Sequence, residues 1–321
     1  MDMEYGNIAG LDKPVSKLVF GCAIEPMLRG ENVDELLDAV YAQGITAFDT
    51  AENYGLSEVS LGNWIQKRKL RDKIVVISKG CHPYERDRVT PEDLVQDIEQ
   101  SFRRLGTDYL DVYLLHRDNT ALEPGPVIEV LNEYHRAGKI GIFGGSNWTY
   151  ERIAQANAYA AERGLEPFRI SSPNFSLCRQ VKDPFGGGSG CVTLTGPDQT
   201  AARSWYVKQN MPVLAYSSLG RGMLSGRVKS DDPEGAKQFL DEYAQRGFLY
   251  PENLERLARA EKLAEKKGCS VPQIGLAWLF CQEISVYPVV SARSASRIRD
   301  NARAFLVQLT KEEADWLDLQ A

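Results

Sequence analysis

Short apolar runs of strand length alternate along the chain with longer amphipathic stretches of helical length. The apolar runs predict eight strands, at residues 18–21, 45–48, 74–78, 110–115, 140–144, 168–172, 212–216 and 286–290. The amphipathic stretches predict helices that include residues 33–42, 91–105, 151–163, 253–267, 271–280 and 295–305. The helix at 91–105 has a clear start, because Thr90 suits a capping position and Pro91 suits the first turn.

Alternation of strands and helices is typical of a parallel sheet, since each parallel connection has to cross one face of that sheet. Eight such units predict an α/β fold of the (β/α)8 TIM-barrel type. No linker rich in Pro, Ser or charge divides residues 1–321, so we expect a single domain. Two long connections, at 177–198 and 220–250, follow strands 6 and 7 and are expected at the C-terminal rim of the barrel.

Composition and charge narrow the possible partners. Of the 321 residues, 43% are hydrophobic, which is enough for a full core. The net charge of −6 excludes a broadly basic surface for nucleic acid or anionic membrane. The start of the chain lacks a signal-peptide pattern, and no run approaches the roughly 18 apolar residues of a membrane span, so we expect a cytoplasmic protein. No heptad or repeat indicates an oligomeric state.

The cysteines have no paired spacing of the kind that indicates a disulfide framework. We expect reduced thiols, each a small core residue. The six are Cys22, Cys81, Cys178, Cys191, Cys269 and Cys281.

Ionisable residues end three of the predicted strands, at Asp49, Lys79 and His116, and Tyr54 follows Asp49 in the next loop. Active sites of (β/α)8 barrels lie at the C-terminal ends of strands. An ionisable residue at one strand end is commonly a structural cap, so each position is ambiguous when taken alone. Their combination, in the segments FDTAENYG, ISKG and LDVYLLHRD, carries more weight.

These three segments, in this order, resemble the tetrad segments of the aldo-keto reductase superfamily. GKIGIFGGSNW, YSSLGRGMLSG and SARSASRIRDN match further segments of that family, so the resemblance covers nearly the whole chain. It implies an NADPH-dependent oxidoreductase that reduces an aldehyde or ketone by hydride transfer. Tyr54 would be the general acid and His116 would orient the carbonyl, with Lys79 and Asp49 as paired partners of Tyr54.

Elementary electrostatics agrees with these roles. An ammonium at Lys79 is expected to lower the pKa of Tyr54, and each unit is worth about 1.4 kcal/mol. Without a counter-charge a buried lysine tends to lose its proton, and Asp49 is placed to prevent this. His116 can donate a hydrogen bond from a ring nitrogen to the carbonyl oxygen.

The resemblance also implies where the cofactor binds. Ser146 and Asn147 would hold the carboxamide, Tyr216 would stack on the nicotinamide, and the segment 217–224 would wrap the pyrophosphate. Arg293 and Arg297 would hold the 2′-phosphate, with Asp300 and Asn301 on the adenine side. The full implied set is Ser146, Asn147, Ser172, Tyr216, Ser217, Leu219, Gly220, Arg221, Gly222, Leu224, Ser291, Arg293, Arg297, Asp300 and Asn301.

One position departs from the family pattern. Many relatives have a glutamine at the end of the sixth strand, where this chain reads ISSPNFSL. Ser172 aligns with that glutamine, and Asn174 is a competing candidate. Trp148 and Tyr84 are expected near the substrate at the rim, whereas Trp64, Trp278 and Trp316 are expected to be packing residues.

Three other functions compete with this interpretation. Metal catalysis is disfavoured, because the three histidines form no metal-binding motif. The glycine-rich run 186–190 lacks the Gly-Lys-Ser/Thr of a phosphate loop and favours a flexible rim loop. A cofactor-binding regulatory subunit of the same fold, acting through a protein partner, remains an alternative to the enzyme. The carbonyl substrate is left open.

Overall fold

The computed structural model describes residues 3–188 and 190–320, and in it eight parallel strands close into a barrel. Around the barrel the hydrogen-bonded order is β10-β3-β4-β5-β6-β7-β8-β9, and β1 and β2 form a separate antiparallel pair. The strands are β1 (Tyr5–Gly6), β2 (Val15–Ser16), β3 (Val19–Gly21), β4 (Ala47–Asp49), β5 (Val75–Gly80), β6 (Leu110–Leu115), β7 (Ile140–Ser146), β8 (Ile170–Ser172), β9 (Val213–Ala215) and β10 (Val286–Val290). The predicted (β/α)8 TIM-barrel class is confirmed.

Helices follow the strands along the chain. They are α1 (Glu25–Leu28), α2 (Asp34–Ala42), α3 (Ser57–Arg68), α4 (Pro91–Leu105), α5 (Gly125–Arg136), α6 (Tyr150–Glu162), α7 (Thr200–Lys208), α8 (Pro233–Phe239), α9 (Glu242–Phe248), α10 (Pro251–Lys267), α11 (Val271–Phe280), α12 (Ala295–Ala302) and α13 (Lys311–Leu317). Helix α4 begins as predicted: the Thr90 side chain accepts a hydrogen bond from the Asp93 N–H. It ends at Gly106, whose φ of 63° suits glycine.

Six of the eight predicted strands differ from the observed strands by one or two residues at an end. Strand β5 extends past Ser78 to Gly80, so Lys79 lies within the sheet. Strand β8 begins at Ile170 rather than Phe168. The Phe168 N–H donates instead to the Asn157 side chain on α6, at 2.8 Å, which satisfies that backbone group outside the sheet.

The connection 220–250 is not an irregular loop throughout, because it contains α8 and α9. Each helix begins at an aspartate: Asp232 accepts from the Gly235 N–H at 2.9 Å and Asp241 from the Ala244 N–H at 2.7 Å. These capping aspartates are the sequence feature from which the two helices could have been predicted. The connection 177–198 is largely irregular, with a 3-10 turn at Pro197–Gln199. Ser189 of the glycine run lies outside the described residues.

The chain divides into two compact units, described separately. The first comprises the chain up to Ser172 together with Ser291–Ala295 and contains β3 to β8. Its strand register places Asp49 beside Ile77, Lys79 beside Leu114 and Ser146 beside Ser172. The carboxyl ends of these strands therefore meet at one edge. Phe20, Phe48, Tyr113 and Phe143 belong to the fully buried core beneath that edge.

The second unit comprises Pro173–Val290 and the chain from Ser296 onward. Its strands β9 and β10 pair with Val213 beside Val286 and Ala215 beside Pro288. Helix α11 is apolar and almost wholly buried, and its start carries a reciprocal cap between Ser270 and Gln273. The single-domain organisation of the chain stays a prediction.

The cysteines only partly follow expectation. All six are free thiols, and Cys22, Cys81 and Cys178 are buried. Cys191 and Cys269 are half-buried and Cys281 is exposed, so the prediction that each is a core residue is wrong for these three. Within the described chain, no helix combines the length and apolar character needed to cross a lipid bilayer.

Candidate active site

The four predicted tetrad residues come together at the strand ends of the first unit. Asp49 is the last residue of β4, Lys79 lies in β5, and His116 directly follows β6. Tyr54 lies in the loop after β4, which is tied back to β5 by two main-chain hydrogen bonds. The Thr50 N–H donates to the Ile77 carbonyl and the Glu52 N–H to the Lys79 carbonyl, both at 2.9 Å.

Lys79 and Asp49 form a buried ion pair. The Lys79 Nζ lies 2.7 Å from Asp49 Oδ1 and also donates to the Thr50 carbonyl at 2.7 Å. Burial lowers the pKa of Lys79, but the charges of Asp49 and Tyr54 outweigh it, so the net shift is upward. Burial also raises the pKa of Asp49, against the effect of Lys79. The predicted role of Asp49 in keeping Lys79 protonated agrees with this geometry.

Tyr54 packs between the ammonium and the histidine. The Lys79 Nζ lies 5.0 Å from the centroid of the Tyr54 ring, and the Tyr54 and His116 rings meet edge to face at 5.5 Å. The charge of Lys79 lowers the pKa of Tyr54, as expected, yet the net shift of that pKa is upward. Burial is the largest cause, and the charge of Lys79 opposes it only in part. Tyr54 is therefore protonated at neutral pH.

His116 is held as a neutral imidazole. Its pKa lies well below the usual value because it is buried and because Lys79 and Arg117 are positively charged nearby. Its backbone is fixed, since the His116 N–H donates to the Gly80 carbonyl at 2.7 Å. The buried Nδ1 has no hydrogen-bond partner among the described residues. An unpartnered ring nitrogen in a polar site suits a ligand contact.

His82 and Arg117 also contribute to this site, although the sequence did not single them out. The His82 ring lies 4.9 Å from the His116 ring, and its Nδ1 is 2.7 Å from the Pro83 carbonyl. Burial, followed by the charge of Arg117, lowers the pKa of His82. The available signal was position: His82 lies just beyond β5 and Arg117 just beyond β6, where rim residues of a barrel are expected.

Ser146 and Asn147 lie next to the tetrad. The Ser146 hydroxyl donates to the Ser172 carbonyl at 2.9 Å, and the Asn147 Nδ2 lies 3.4 Å from the His116 carbonyl. Asn147 has a φ of 59°, a left-handed conformation that asparagine tolerates better than most residues. This conformation ends strand β7 and gathers Ser146, Asn147 and Ser172 around one point.

Two residues are candidates for the role of the missing glutamine. One of them, Asn174, lies in the second unit, and its side chain is hydrogen-bonded there. Its Nδ2 donates to the Tyr216 carbonyl at 3.1 Å, and its Oδ1 accepts from the Thr193 hydroxyl at 2.9 Å. Both ends of this buried amide therefore have partners. Ser172 is also buried, and its carbonyl anchors Ser146.

The segment 217–224 of the second unit has an unusual backbone. Ser217, Gly220, Arg221 and Gly222 all have positive φ, at 49°, 59°, 50° and 109°. At Gly220 a Cβ would come within 2.8 Å of the Cys178 Cβ, so glycine is required there. Backbone that alternates between left- and right-handed conformations forms concave surfaces that favour anions. The Arg221 guanidinium donates to both oxygens of Asp241, at 3.1 and 3.0 Å. Leu219 is half-buried and Leu224 fully buried.

The residues predicted to bind the adenosine end of the cofactor differ in how many of their polar atoms already have hydrogen-bond partners within the protein. Arg297 is half-buried, and its Nη1 donates to the Ser225 carbonyl at 3.1 Å. No other Arg297 contact is found in the described chain, so most of its five donors are available to an anion. Asp300 instead accepts from Ser270 and Gln273, which occupies both carboxylate oxygens. Asn301 is buried.

Ser291 and Arg293 belong to the first unit. The Ser291 hydroxyl donates to the Gly21 carbonyl at 2.8 Å, and the exposed Arg293 lies 3.3 Å from Glu25. A phosphate on Arg293 would have to replace this carboxylate.

Trp148 does not line an open pocket, contrary to expectation. It is 0% exposed, its Nε1 donates to the Arg117 carbonyl at 3.0 Å, and its ring packs edge to face on Phe168. Tyr84, by contrast, is 60% exposed at the rim. Trp64 and Trp278 are buried packing residues, as predicted. No group of three or more metal-ligating side chains is clustered among the described residues.

The family model for the aldo/keto reductase family matches residues 25–319, which includes every residue of the tetrad. The chain belongs to the aldo/keto reductase family. Membership of this family establishes the general activity. The protein is an oxidoreductase, and the family acts on small carbonyl compounds and alcohols.

Curated relatives are similar over most of the chain. The NADP(+) aldo-keto reductase yakc of Schizosaccharomyces pombe is 26% identical over 314 residues, covering 92% of this chain and 85% of that protein. A probable aryl-alcohol dehydrogenase of Saccharomyces cerevisiae, AAD4, is 26% identical over 306 residues, covering 90% and 87%. The crystal structure of the thermostable aldo-keto reductase Tm1743 is similar in fold, with a TM-score of 0.73 at 22% identity over 99% of this chain and 100% of that one.

Proposed function

We propose that this aldo/keto reductase reduces an aldehyde or ketone to an alcohol with NADPH, and that Tyr54 is its general acid. The observation that carries the proposal is the buried set of Tyr54, Lys79, Asp49 and His116, in which one ammonium contacts both a carboxylate and the phenol ring. A protonated tyrosine beside a charged lysine can release a proton, because the lysine stabilises the phenolate left behind.

The protein side of the reaction follows from these contacts. When bound, NADPH would supply the hydride that the carbonyl carbon accepts. The Tyr54 hydroxyl donates its proton to the oxygen, where negative charge develops, and Lys79 stabilises the phenolate. His116, being neutral, offers a hydrogen bond to the same oxygen without adding a charge that would compete with Lys79. Once the alcohol has left, solvent returns the proton to Tyr54.

The residues present fit the cofactor. In the first unit, Ser146, Asn147 and Ser172 have polar groups beside His116 that suit the carboxamide. In the second unit, Tyr216 is a half-buried aromatic residue, the type that would stack on the nicotinamide. Segment 217–224, with its positive-φ backbone, suits the pyrophosphate. The choice of NADPH over NADH rests on the open donors of Arg297 and is supported by the cofactor named for yakc.

We propose aromatic aldehydes as the first substrates to test. AAD4 is named for aryl alcohols, and here the rings of His82 and Tyr84 stand 5.9 Å apart at the rim next to His116. A panel of aromatic and aliphatic aldehydes and ketones, followed by NADPH absorbance, would identify the class. Absence of turnover with every carbonyl, while NADPH still binds, would contradict the proposed activity.

The decisive variant is Tyr54→Phe. We expect kcat on the best substrate to fall by about a hundredfold or more, since general acid catalysis is typically worth that much. The affinity for NADPH, measured by quenching of protein fluorescence, should stay close to that of the wild type. A variant that keeps more than about a tenth of the wild-type kcat, with chemistry rate-limiting, would show that Tyr54 is not the acid.

A further inference from the structure

A buried carboxylate that belongs to no predicted site lies inside the catalytic loop. Glu52 is three residues after Asp49 and two before Tyr54, and it is only 7% exposed. A charge so deeply buried has to be paired and hydrogen-bonded to be tolerated. Its partners therefore indicate what the loop is held against.

Glu52 is held through its backbone and through both carboxylate oxygens. Its N–H donates to the Lys79 carbonyl at 2.9 Å, and its own carbonyl accepts from Arg104 Nη1 at 2.6 Å. Oε1 accepts from Gln100 at 2.8 Å, with Arg104 at 3.4 Å, and Oε2 accepts from the Tyr84 hydroxyl at 2.9 Å. One residue thus joins the Tyr54 loop to strand β5, helix α4 and the rim.

Arg104 supports the strand that carries Lys79 as well as the loop. Its Nη1 lies 3.7 Å from Oε2 of the fully buried Glu58, and Glu58 Oε1 accepts from the Ser78 hydroxyl at 2.6 Å. Ser78 immediately precedes Lys79. A single guanidinium on α4 therefore lies within ion-pair distance of two buried carboxyl groups, one in the Tyr54 loop and one hydrogen-bonded to the residue before Lys79.

We propose that Glu52 is a positioning residue that fixes Tyr54 against Lys79, and that Tyr84 is the exposed residue that completes its hydrogen-bond set. Neither needs to touch the reacting atoms. Tyr84 is 60% exposed, yet its hydroxyl is committed to Glu52, so the rim of the site is coupled to the position of the acid. The kinetic consequence rests on the proposed function, whereas the positioning itself does not.

The first test is kinetic. Misplacing a catalytic group by about 1 Å can cost on the order of a hundredfold in rate. We expect Glu52→Gln to lower kcat by roughly ten- to a hundredfold and Tyr84→Phe by a few-fold, with NADPH affinity unchanged. The two effects should be non-additive in the double variant, since both act on one carboxylate.

A matched control distinguishes the loss of Tyr54 positioning from the general effect of removing a tyrosine–glutamate hydrogen bond. The Tyr134 hydroxyl donates to Glu99 at 2.8 Å between the outer helices α5 and α4. Tyr134→Phe removes the same kind of bond away from the tetrad and should leave kcat, KM and the pH profile of kcat as in the wild type.

A second measurement does not depend on activity. The chain has three histidines, so ¹⁵N-labelled histidine gives an NMR spectrum that single His→Gln variants can assign. If Glu52 positions the loop, the His116 ring signals should shift in Glu52→Gln and Tyr84→Phe, because Tyr54 and Lys79 contribute to the His116 environment. His82 packs beside Tyr84 and will report that loss directly, and His135 on α5 is the unchanged reference.

The outcomes are distinct. Shifted His116 signals with reduced kcat support the proposal, and shifted signals in a protein without carbonyl reductase activity support the positioning alone. Folded variants with wild-type His116 signals and wild-type kinetics would overturn it. If Glu52→Gln does not fold, Tyr84→Phe still decides, since it alters only one hydroxyl of an exposed side chain.

Discussion

The ammonium of Lys79 lies between a carboxylate and a phenol, and this arrangement sets the charge of its neighbours. Asp49 raises the pKa of Lys79 against the effect of burial, and Lys79 in turn lowers that of His116. The sequence predicted the residues, the pairing of Lys79 with Asp49 and the lowering effect of Lys79 on the pKa of Tyr54, but not the net direction of the pKa shift at Tyr54. That direction depends on how completely the phenol is buried, which spacing along the chain does not contain.

At the same scale, we expect Arg297 to decide the choice between NADPH and NADH. A hydrogen bond to a charged group is worth roughly 1.5–3 kcal/mol, so Arg297→Ala should weaken NADPH binding by roughly ten- to a hundredfold and leave NADH binding almost unchanged. Fluorescence titration of both cofactors would measure this. Arg299→Ala, two residues away on the same helix α12 and exposed, is the matched control. An equal loss for both cofactors, or a wild type that prefers NADH, would contradict the assignment.

At the scale of elements, helices α3 and α4 stand behind the strands that carry Asp49 and Lys79. They approach closely because α3 has a glycine at the contact. A Cβ on Gly62 would lie 2.5 Å from the carbonyl oxygen of Leu105, which is backbone and cannot rotate away. Helix α4 also supplies Gln100 and Arg104 to Glu52, so the spacing of the two helices affects the loop that carries Tyr54.

Gly62→Ala should therefore destabilise the protein by about 1–3 kcal/mol, the usual cost of overpacking, although alanine is the better helix former. Urea unfolding followed by circular dichroism would give the difference. Gly187→Ala is the control, because a Cβ there has no neighbour within 4 Å among the described residues and φ is not positive. A Gly62→Ala protein as stable as the wild type would show that the helices can separate without cost.

The elements differ in how far the sequence could predict them. Strands 110–115 and 286–290 were predicted with their observed bounds, since each is a predominantly apolar run that is followed by a polar residue. The N-terminal pair β1 and β2 was missed because strands of two residues carry no periodicity. Helices α8 and α9 were missed because each has only seven residues, which leaves only their aspartate caps as a signal.

At the scale of the whole molecule, the closed barrel explains why residues from three successive strands, and from the loop after the first of them, meet. Parallel strands bring their carboxyl ends to one edge, so Asp49, Lys79 and His116 could be placed together from the sequence. The residues that support these three side chains from behind could not be predicted. Nothing in the sequence distinguishes Glu52 from any other acidic residue in a loop. Only the folded chain shows that Gln100, Arg104 and Tyr84 all hydrogen-bond to it.

Because His116 is buried, we expect the stability of the protein to depend on pH. The pKa of His116 in the folded protein lies well below its usual 6.5, because burial and the charges of Lys79 and Arg117 oppose protonation. Below pH 6.5 the unfolded chain binds a proton at this histidine that the folded protein does not. The free energy of unfolding therefore falls as the pH is lowered, by about 1.4 kcal/mol per pH unit for one proton.

His116→Gln removes that proton-binding group from both states. Between pH 7 and about pH 5.5, the wild type should lose about 1 kcal/mol more of its unfolding free energy than this variant, as measured by urea unfolding at each pH. His82, whose pKa is also lowered, is present in both proteins, so its contribution cancels in the comparison. His135→Gln on the outer helix α5 controls for the loss of an imidazole elsewhere. Equal losses in the wild type and His116→Gln would mean that His116 takes up its proton in the folded state, and a charged His116 beside Lys79 would remove the basis for its role as a neutral hydrogen-bond donor to the carbonyl.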